Sequence, residues 1–238
     1  MITKVFLAAA IAIVPLIAAA WLPASVPLLA RQFLLCAWGT GAILVAERLV
    51  FSDTTSAAVR AIGFRRPRIS MVVATLLVSL PMWAFLPLFA WSSDVVVALR
   101  PDWAQVLLGV VLVNGITEEV IHRGFVFGHL RRERSFAAAA TLSAMLFAAQ
   151  HLYIIITTGL VVGLSAVVLA TLLTYPMAYV FERGGNSIGG PAILHTSSNA
   201  PILILALPEE FVVTAVLPHM GVVLVSLYLV FVVRQDRS

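Results

Sequence analysis

The sequence WAQVLLGVVLVNGITEEVIHRGFVF, residues Trp103–Phe127, decides the fold because it is long, apolar and interrupted by charged groups at one place. A helix needs roughly 20 apolar residues to cross a bilayer, and this run supplies them. The interruption consists of Glu118, Glu119, His122 and Arg123. Ionisable side chains inside an apolar span are costly, and they usually line a functional cavity. The segment therefore predicts a membrane-spanning helix that carries part of a site.

The composition of the whole chain supports the same conclusion. Of its 238 residues, 61% are hydrophobic and 11% are charged, whereas soluble domains have about 45–50% apolar and about 25% charged residues. The net charge of +4 comes from basic residues in short loops between apolar runs, so we expect no nucleic-acid binding. The single cysteine excludes intramolecular disulfides and cysteine-based zinc sites.

Eight apolar segments indicate a single transmembrane domain over residues 1–238, with spans one to three in 1–102 and catalytic spans four to eight in 103–238. The runs are continuously apolar rather than alternating, which predicts an all-α polytopic bundle and not a barrel. The boundary between the fifth and sixth segments lacks a polar marker. The predicted spans are Val5–Leu22, Leu29–Phe51, Ile69–Trp91, Trp103–Phe127, Phe136–Tyr153, Ile155–Phe181, Ile188–Leu207 and Phe211–Val233.

Arginine placement predicts the orientation of the bundle. Every second loop is basic, whereas the charged residues of the loops at Ser92–Pro101 and Pro208–Glu210 are mostly acidic. The positive-inside rule then places both termini in the cytoplasm, and we expect the cytoplasmic (inner) membrane of a bacterium. A cleaved signal peptide ending near Ala18–Ala20 would instead leave seven spans; we favour an uncleaved first span. The arginines of the basic segments on which this orientation depends are Arg60, Arg65, Arg66, Arg68, Arg131, Arg132, Arg134, Arg183, Arg234 and Arg237.

Three predicted spans carry polar or aromatic side chains four residues apart, a spacing that puts both members on one helix face. Adjacent positions diverge by roughly 100°, so Glu118 and Glu119 are expected to have different roles. Arg123 is the natural partner of Glu119, which leaves Glu118 for chemistry. The four pairs are Glu118 with His122, Glu119 with Arg123, Phe147 with His151, and His195 with Asn199.

Activation of water is the chemistry that these groups support. A carboxylate in an apolar site serves as general base and then as general acid. A carboxylate with two imidazoles can alternatively hold a divalent metal such as zinc, with water in an open position. An asparagine can stabilise the oxyanion that forms on a peptide carbonyl. Spacing alone leaves both the metal-bound and the metal-free alternatives open.

Three motifs in this order resemble the CPBP family, which contains CAAX prenyl endopeptidases and bacteriocin-processing or immunity-type membrane proteases. Residues 118–123 (EEVIHR) fit E-E-x-x-x-R, residues 147–151 (FAAQH) fit F-x-x-x-H, and residues 195–199 (HTSSN) fit H-x-x-x-N. Each motif alone is weak, but the ordered trio on three spans is specific. The resemblance covers roughly residues 111–202.

The resemblance implies intramembrane hydrolysis of a peptide bond in a membrane-associated protein or peptide. It implies that Glu118 activates the water, that His151 and His195 place the water or, together with Glu118, ligate a metal, and that Asn199 stabilises the oxyanion. We include Glu119 in the catalytic set, where the resemblance implies that it supports the site together with Arg123. Phe147 and His122 are further supporting residues, and we expect Phe147 to shape the cavity by packing. His122 departs from the family, where phenylalanine is frequent, and we expect its imidazole beside Glu118.

Residue counting along the spans gives unequal depths for the three motifs. At 1.5 Å per residue, Glu118 lies roughly 15 Å and His195 roughly 10 Å from the cytoplasmic ends of their spans, but His151 lies roughly 22–25 Å from its own. We therefore expect the fifth helix to tilt or to begin inside the cavity. His129 and His219 lie near span ends and are expected to be solvated.

Two functions from other classes stay open at this level. An intramembrane glutamate pair with histidines also suits a proton-coupled transporter or a non-catalytic immunity or partner-binding protein. Transporters often contain repeats in matching halves, whereas the polar residues here all lie in the second half of the chain. The expected partners are a membrane-protein or peptide substrate and the lipid bilayer. Spans one to three show no feature that marks a substrate groove.

Overall fold

The computed structural model describes residues 1–23, 25–208 and 211–232. These residues are mostly helical, as the sequence predicts. Nine helices lie within them: α1 Ile2–Ala18, α2 Leu28–Val50, α3 Thr55–Ala61, α4 Ile69–Ser92, α5 Trp103–Arg131, α6 Phe136–Thr158, α7 Leu160–Arg183, α8 Gly189–Ile204 and α9 Val212–Tyr228.

Two short strands connect the start of α5 to the end of α8. Strand β1, Ala98–Leu99, pairs antiparallel with strand β2, Leu205–Ala206. The Arg100 backbone N–H also donates to the Ile204 carbonyl at 3.0 Å. This link fixes the two helices that carry the E-E-x-x-x-R and H-x-x-x-N motifs relative to each other.

The predicted count of eight membrane spans is not confirmed. Each predicted apolar segment corresponds to a helix, but six helices of the described residues are long and apolar enough to cross a membrane: α2, α4, α5, α6, α7 and α9. Helix α1 has 17 residues and α8 has 16. At 1.5 Å per residue they reach about 24–26 Å, less than the roughly 30 Å of a hydrocarbon core. Glu209, Glu210, Val233, Arg234 and Arg237, which entered the prediction, lie outside the described residues.

A glycine sets the boundary between the fifth and sixth segments. Helix α6 continues to Thr158, five residues beyond the predicted end at Tyr153. Gly159 then has a φ of +86°, a conformation that side chains disfavour and that ends the helix. Hydropathy contains no trace of this break because both sides are apolar. Gly163, in the next turn, lies against the backbone of Ile155, so a small residue lets α6 and α7 approach closely.

Most of α5 is wider than an α-helix. Its backbone is π-helical over Val110–Glu118 and again over Val120–Phe127, and the Thr117 hydroxyl donates to the Leu112 carbonyl five residues earlier at 2.9 Å. Such i→i+5 segments are rare and occur frequently at functional sites. The angular spacing of 3.6 residues per turn that the sequence argument used is therefore wrong for this helix.

Two apolar clusters hold the bundle together, and apolar side chains also cover its exterior. One cluster joins α1, α2 and α5 with parts of α6 and α7, and the other joins α4, α7, α8 and α9. Large residues such as Leu34, Leu77, Ile156 and Val225 are more than half exposed. Because such an exterior suits a hydrocarbon environment and not water, the fold agrees with a multi-pass membrane protein.

The arginine-rich loops gather at one end of the bundle. The Ser187 hydroxyl donates to the Arg65 carbonyl at 2.8 Å, and Arg131 Nε donates to Glu182 Oε2 at 2.8 Å. The loops after α3, α5 and α7 are thereby brought together, as alternating basic loops require. The cytoplasmic position of this end and of both termini stays a prediction.

Candidate active site

Helices α5, α6 and α8 place the predicted polar residues around one cavity of about 400 Å³. Helix α5 contributes Glu118, which is 5% exposed, and α6 contributes His151. Helix α8 contributes His195 and Asn199. His151 therefore lines the same cavity as the residues of the other two motifs, although residue counting gave it a greater depth in the membrane.

Glu119 is fully buried and is held from two sides. Arg123 Nη1 donates to Glu119 Oε1 at 3.0 Å, and His195 Nδ1 donates to the same oxygen at 2.7 Å. The Arg123 guanidinium also lies over the Phe147 ring, 4.6 Å from its centroid, an attractive cation–π geometry. The expected Glu119–Arg123 pair is therefore present, and it also orients the imidazole of His195.

Glu118 has one occupied and one open carboxylate oxygen. Asn114 Nδ2 donates to Glu118 Oε1 at 3.3 Å. Glu118 Oε2 is buried and accepts no hydrogen bond from any described residue. His195 Nε2 is its neighbour at 3.8 Å. His195 therefore lies between the two glutamates, bonded to Glu119 and facing the open oxygen of Glu118.

His151 is oriented by its own helix. Its Nδ1–H donates to the Phe147 carbonyl one turn earlier at 2.8 Å. The Phe147 ring packs between His151 and His195, with centroid separations of 4.5 Å and 5.8 Å. Because Nδ1 carries the donated proton, neutral His151 has its lone pair on Nε2. The Phe147 ring thus contacts both motif histidines and lines the cavity, and its role in shaping the cavity stays a prediction.

His122 does not lie beside Glu118 as expected. Its Nε2–H donates to Gln150 Oε1 at 2.7 Å, and the His122 carbonyl accepts from Ser143 at 3.1 Å. The widened helix directs this fully buried imidazole at α6. Gln150, which the sequence argument overlooked, lines the cavity directly before His151. The sequence signal for Gln150 as a site residue was a single polar glutamine within an apolar run.

His129 and His219 are buried, not solvated. His129 Nε2 donates to Glu47 Oε2 at 2.6 Å, and His219 Nε2 donates to the Ser198 carbonyl at 3.2 Å. Both partners are distant in sequence, so a position near the end of a span did not predict that these histidines are buried. Neither His129 nor Glu47 lines the cavity.

Asn199 lies one turn after His195 on α8 and lines the same cavity. Within the described part of the chain its side chain makes no hydrogen bond, so both its amide donors are available to a bound molecule. This position is compatible with the implied role on a developing oxyanion.

The donor types of the site suit a metal, but their arrangement does not. Histidines that ligate metals usually donate their other ring N–H to a carboxylate or carbonyl, as His195 and His151 do here. Nevertheless, no three His, Cys, Asp or Glu side chains in residues 1–23, 25–208 and 211–232 converge enough to hold an ion. Glu118, His151 and His195 as placed therefore do not fit the metal site that the sequence left open.

Comparison with known proteins identifies the segment that carries the site. Residues 100–201 match the family model Rce1-like, described as type II CAAX prenyl endopeptidase Rce1-like. The matched segment contains all three motifs, which confirms the resemblance to the CPBP family. No curated protein and no solved structure gives a match. With six long apolar helices among its described residues, the chain is an integral multi-pass membrane protein, and its segment 100–201 is similar to a family of CAAX prenyl endopeptidases.

Proposed function

We propose that this chain, with its Rce1-like segment, is an intramembrane endopeptidase that cleaves a peptide bond in a membrane-associated protein or peptide. The observation that carries the proposal is the open Glu118 Oε2, buried and 3.8 Å from His195 Nε2. A water molecule that hydrogen-bonds to both atoms at ordinary lengths of about 2.7–3.2 Å fits such a separation. A buried carboxylate oxygen without a hydrogen-bond partner is costly, and a bound reacting water would supply that partner.

The proposed reaction begins with this water. Its oxygen attacks the carbonyl carbon of the substrate while one water proton moves to Glu118 Oε2. The second water hydrogen is held by the lone pair on His195 Nε2, because Nδ1 donates its proton to Glu119. The carbon–nitrogen bond then breaks, and Glu118 delivers the proton to the leaving amine. Glu118 therefore acts first as general base and then as general acid.

In this proposal two amides that line the cavity stabilise the oxyanion. Asn199 has unused donors on α8. Gln150 has its Oε1 held by His122, so its amide N–H groups remain for the cavity that it lines. Preorganised donors of this kind contribute most when water is excluded. We assign His122 as a positioning residue that acts through Gln150, which gives the departure from the family pattern a function.

Glu119 and Arg123 support this chemistry indirectly. The Arg123 cation balances the buried Glu119 carboxylate, and Glu119 in turn sets the tautomer and direction of the His195 ring. No step requires a metal, and none is assigned to one because the side chains do not converge on an ion.

The proposal is tested with the purified chain in lipid nanodiscs and a defined mixture of apolar peptides, with products identified by mass spectrometry. Glu118→Gln is expected to reduce turnover by about 10²–10⁴-fold, the usual contribution of a general base. The matched control is Glu133→Gln, which changes an exposed glutamate and is expected to retain activity. Equal turnover by wild type and Glu118→Gln would contradict the mechanism.

A further inference from the structure

A second cavity adjoins the candidate active site on the side of α1 and α2. Its volume is about 270 Å³, and it extends from the ends of these helices to Glu118. The two cavities share Asn114, Glu118, Gln150 and Tyr153 in their walls. A molecule that occupies the second cavity therefore reaches the carboxylate that we assign as the base. Helices α1 and α2, whose sequences carry no feature that marks a substrate groove, thus form part of its wall.

Arg31, in the first turn of α2, lines the far part of this second cavity. Its Nη2 donates two long hydrogen bonds, at 3.4 Å to the Pro23 carbonyl and at 3.5 Å to the Val26 carbonyl. Its Nε is buried and donates to no described group. Within residues 1–23, 25–208 and 211–232, no carboxylate forms an ion pair with it. An arginine in an apolar bundle normally has a partner, as Arg123 does.

The neighbour of Arg31 adds a second polar group to the same wall. The Gln32 side chain also lines the cavity and lies against Gly109 of α5, where a Cβ would collide with it. A guanidinium without a carboxylate partner and a carboxamide, both with N–H donors, therefore line the same cavity. The planar fork of arginine matches a carboxylate with two parallel hydrogen bonds.

We propose that Arg31, with Gln32, binds a carboxylate of the peptide substrate, either its free C terminus or an Asp or Glu side chain. This inference rests on the proposed peptidase function for the identity of the occupant, because the cavity is continuous with Glu118. It makes Arg31 a specificity-determining residue that lies outside the segment matched by the family model.

The geometry also gives the expected register of cleavage. Gly109, which lies beside Gln32, and Glu118 are nine residues apart on α5, and the π-helical backbone between them makes this separation shorter than the roughly 13 Å of an α-helical segment. An extended peptide covers about 3.3 Å per residue. A carboxylate held beside Gln32 thus places the reacting bond at most about four residues away along the peptide.

The test measures binding separately from cleavage. In the Glu118→Gln background, the full chain in nanodiscs is titrated with three fluorescent ten-residue apolar peptides. One has a free C-terminal carboxylate, one is the C-terminal amide, and one is the amide with an internal Asp. We expect at least one carboxylate peptide to bind ten-fold or more tightly than the plain amide, and the added change Arg31→Gln to abolish this preference. The peptide that is preferred identifies the source of the carboxylate.

The control is the added change Arg100→Gln, because Arg100 is an exposed arginine that pairs with Asp102. It is expected to leave the preference intact, and Arg31→Lys is expected to retain only part of it. Equal binding of all three peptides, or a preference that survives Arg31→Gln at an unchanged melting temperature, would overturn the inference. A wild-type chain that binds with this preference but cleaves nothing would refute the peptidase proposal and leave the carboxylate site standing.

Discussion

At the scale of single residues, the site depends on how Glu119 is paired and held in place inside the bundle. Its pairing with Arg123 could be predicted because four-residue spacing on a helix is a local property. The contact with His195 could not, since it joins positions 76 residues apart. The pairing of His122 with Gln150 was missed for the same reason.

Breaking the Glu119–Arg123 pair is expected to destabilise the fold. Arg123→Ala leaves Glu119 as an uncompensated buried charge, and loss of one partner of a buried pair typically costs about 3–5 kcal/mol. Reversible unfolding in detergent micelles measures the loss, with Arg134→Ala at an exposed loop position as control. Adding Glu119→Gln to Arg123→Ala should recover part of the stability. An unchanged free energy of unfolding in Arg123→Ala would show that the pair is unimportant.

Removing the Gln150 amide is expected to slow the chemical step. Gln150→Leu should reduce kcat by about 10²-fold, the scale of one lost oxyanion donor, with a smaller change in KM. His122→Phe should reduce kcat less, because the amide is kept but loses its orientation. Steady-state kinetics on a cleaved peptide provide both constants, and exposed Gln105, changed to Leu, is the control. A full kcat in Gln150→Leu would remove this residue from the mechanism.

At the scale of elements, hydropathy located the helices but not their shape. Each predicted segment is helical, yet α1 and α8 are too short to count as ordinary spans, and α6 ends at a glycine that hydropathy does not distinguish. The π-helical widening of α5 left no trace in the sequence pattern, because polar residues four apart fit either geometry. Backbone conformation depends here on tertiary packing, which a single segment does not encode.

Close approach of α5 to the loop after α3 gives an element-scale prediction. A Cβ at Gly124, directly after Arg123, would collide with the backbone carbonyl of Ile62. Gly124→Ala should therefore destabilise the fold by about 1–3 kcal/mol, as overpacking usually does, and should displace α5. Gly41→Ala is the matched control, since its Cβ would meet open space. Equal unfolding free energies for both variants would contradict the tight contact.

At the scale of the whole molecule, the arginine-rich loops follow α3, α5 and α7 at one end of the bundle. The last turns of α1 and α6, which end on the opposite side, line the two cavities. The prediction of cytoplasmic termini is tested by replacing Cys36 with serine and adding one cysteine at exposed Asp53 or Ser93. A membrane-impermeant maleimide added to intact cells should label Ser93→Cys and not Asp53→Cys. The reverse labelling would invert the orientation derived from the positive-inside rule.

The absence of converging ligands among the described residues gives a prediction about metal dependence. Peptide cleavage in nanodiscs should persist after dialysis against a strong chelator, with less than a two-fold change in kcat/KM, because the proposed steps use only Glu118, His195 and the two amides. Loss of activity on chelation, followed by recovery with added zinc, would show that Glu118, His151 and His195 rearrange to hold an ion.

The central claim is that Glu118 hydrolyses peptide bonds within the membrane. The most direct measurement compares the peptide termini of membrane and secreted proteins in host cells that express either the wild-type chain or Glu118→Gln at matched levels. The account predicts new termini with the wild type alone, and these termini would also identify the substrates. Identical termini in both strains, together with a phenotype that survives the substitution, would contradict catalysis and favour a binding or immunity role.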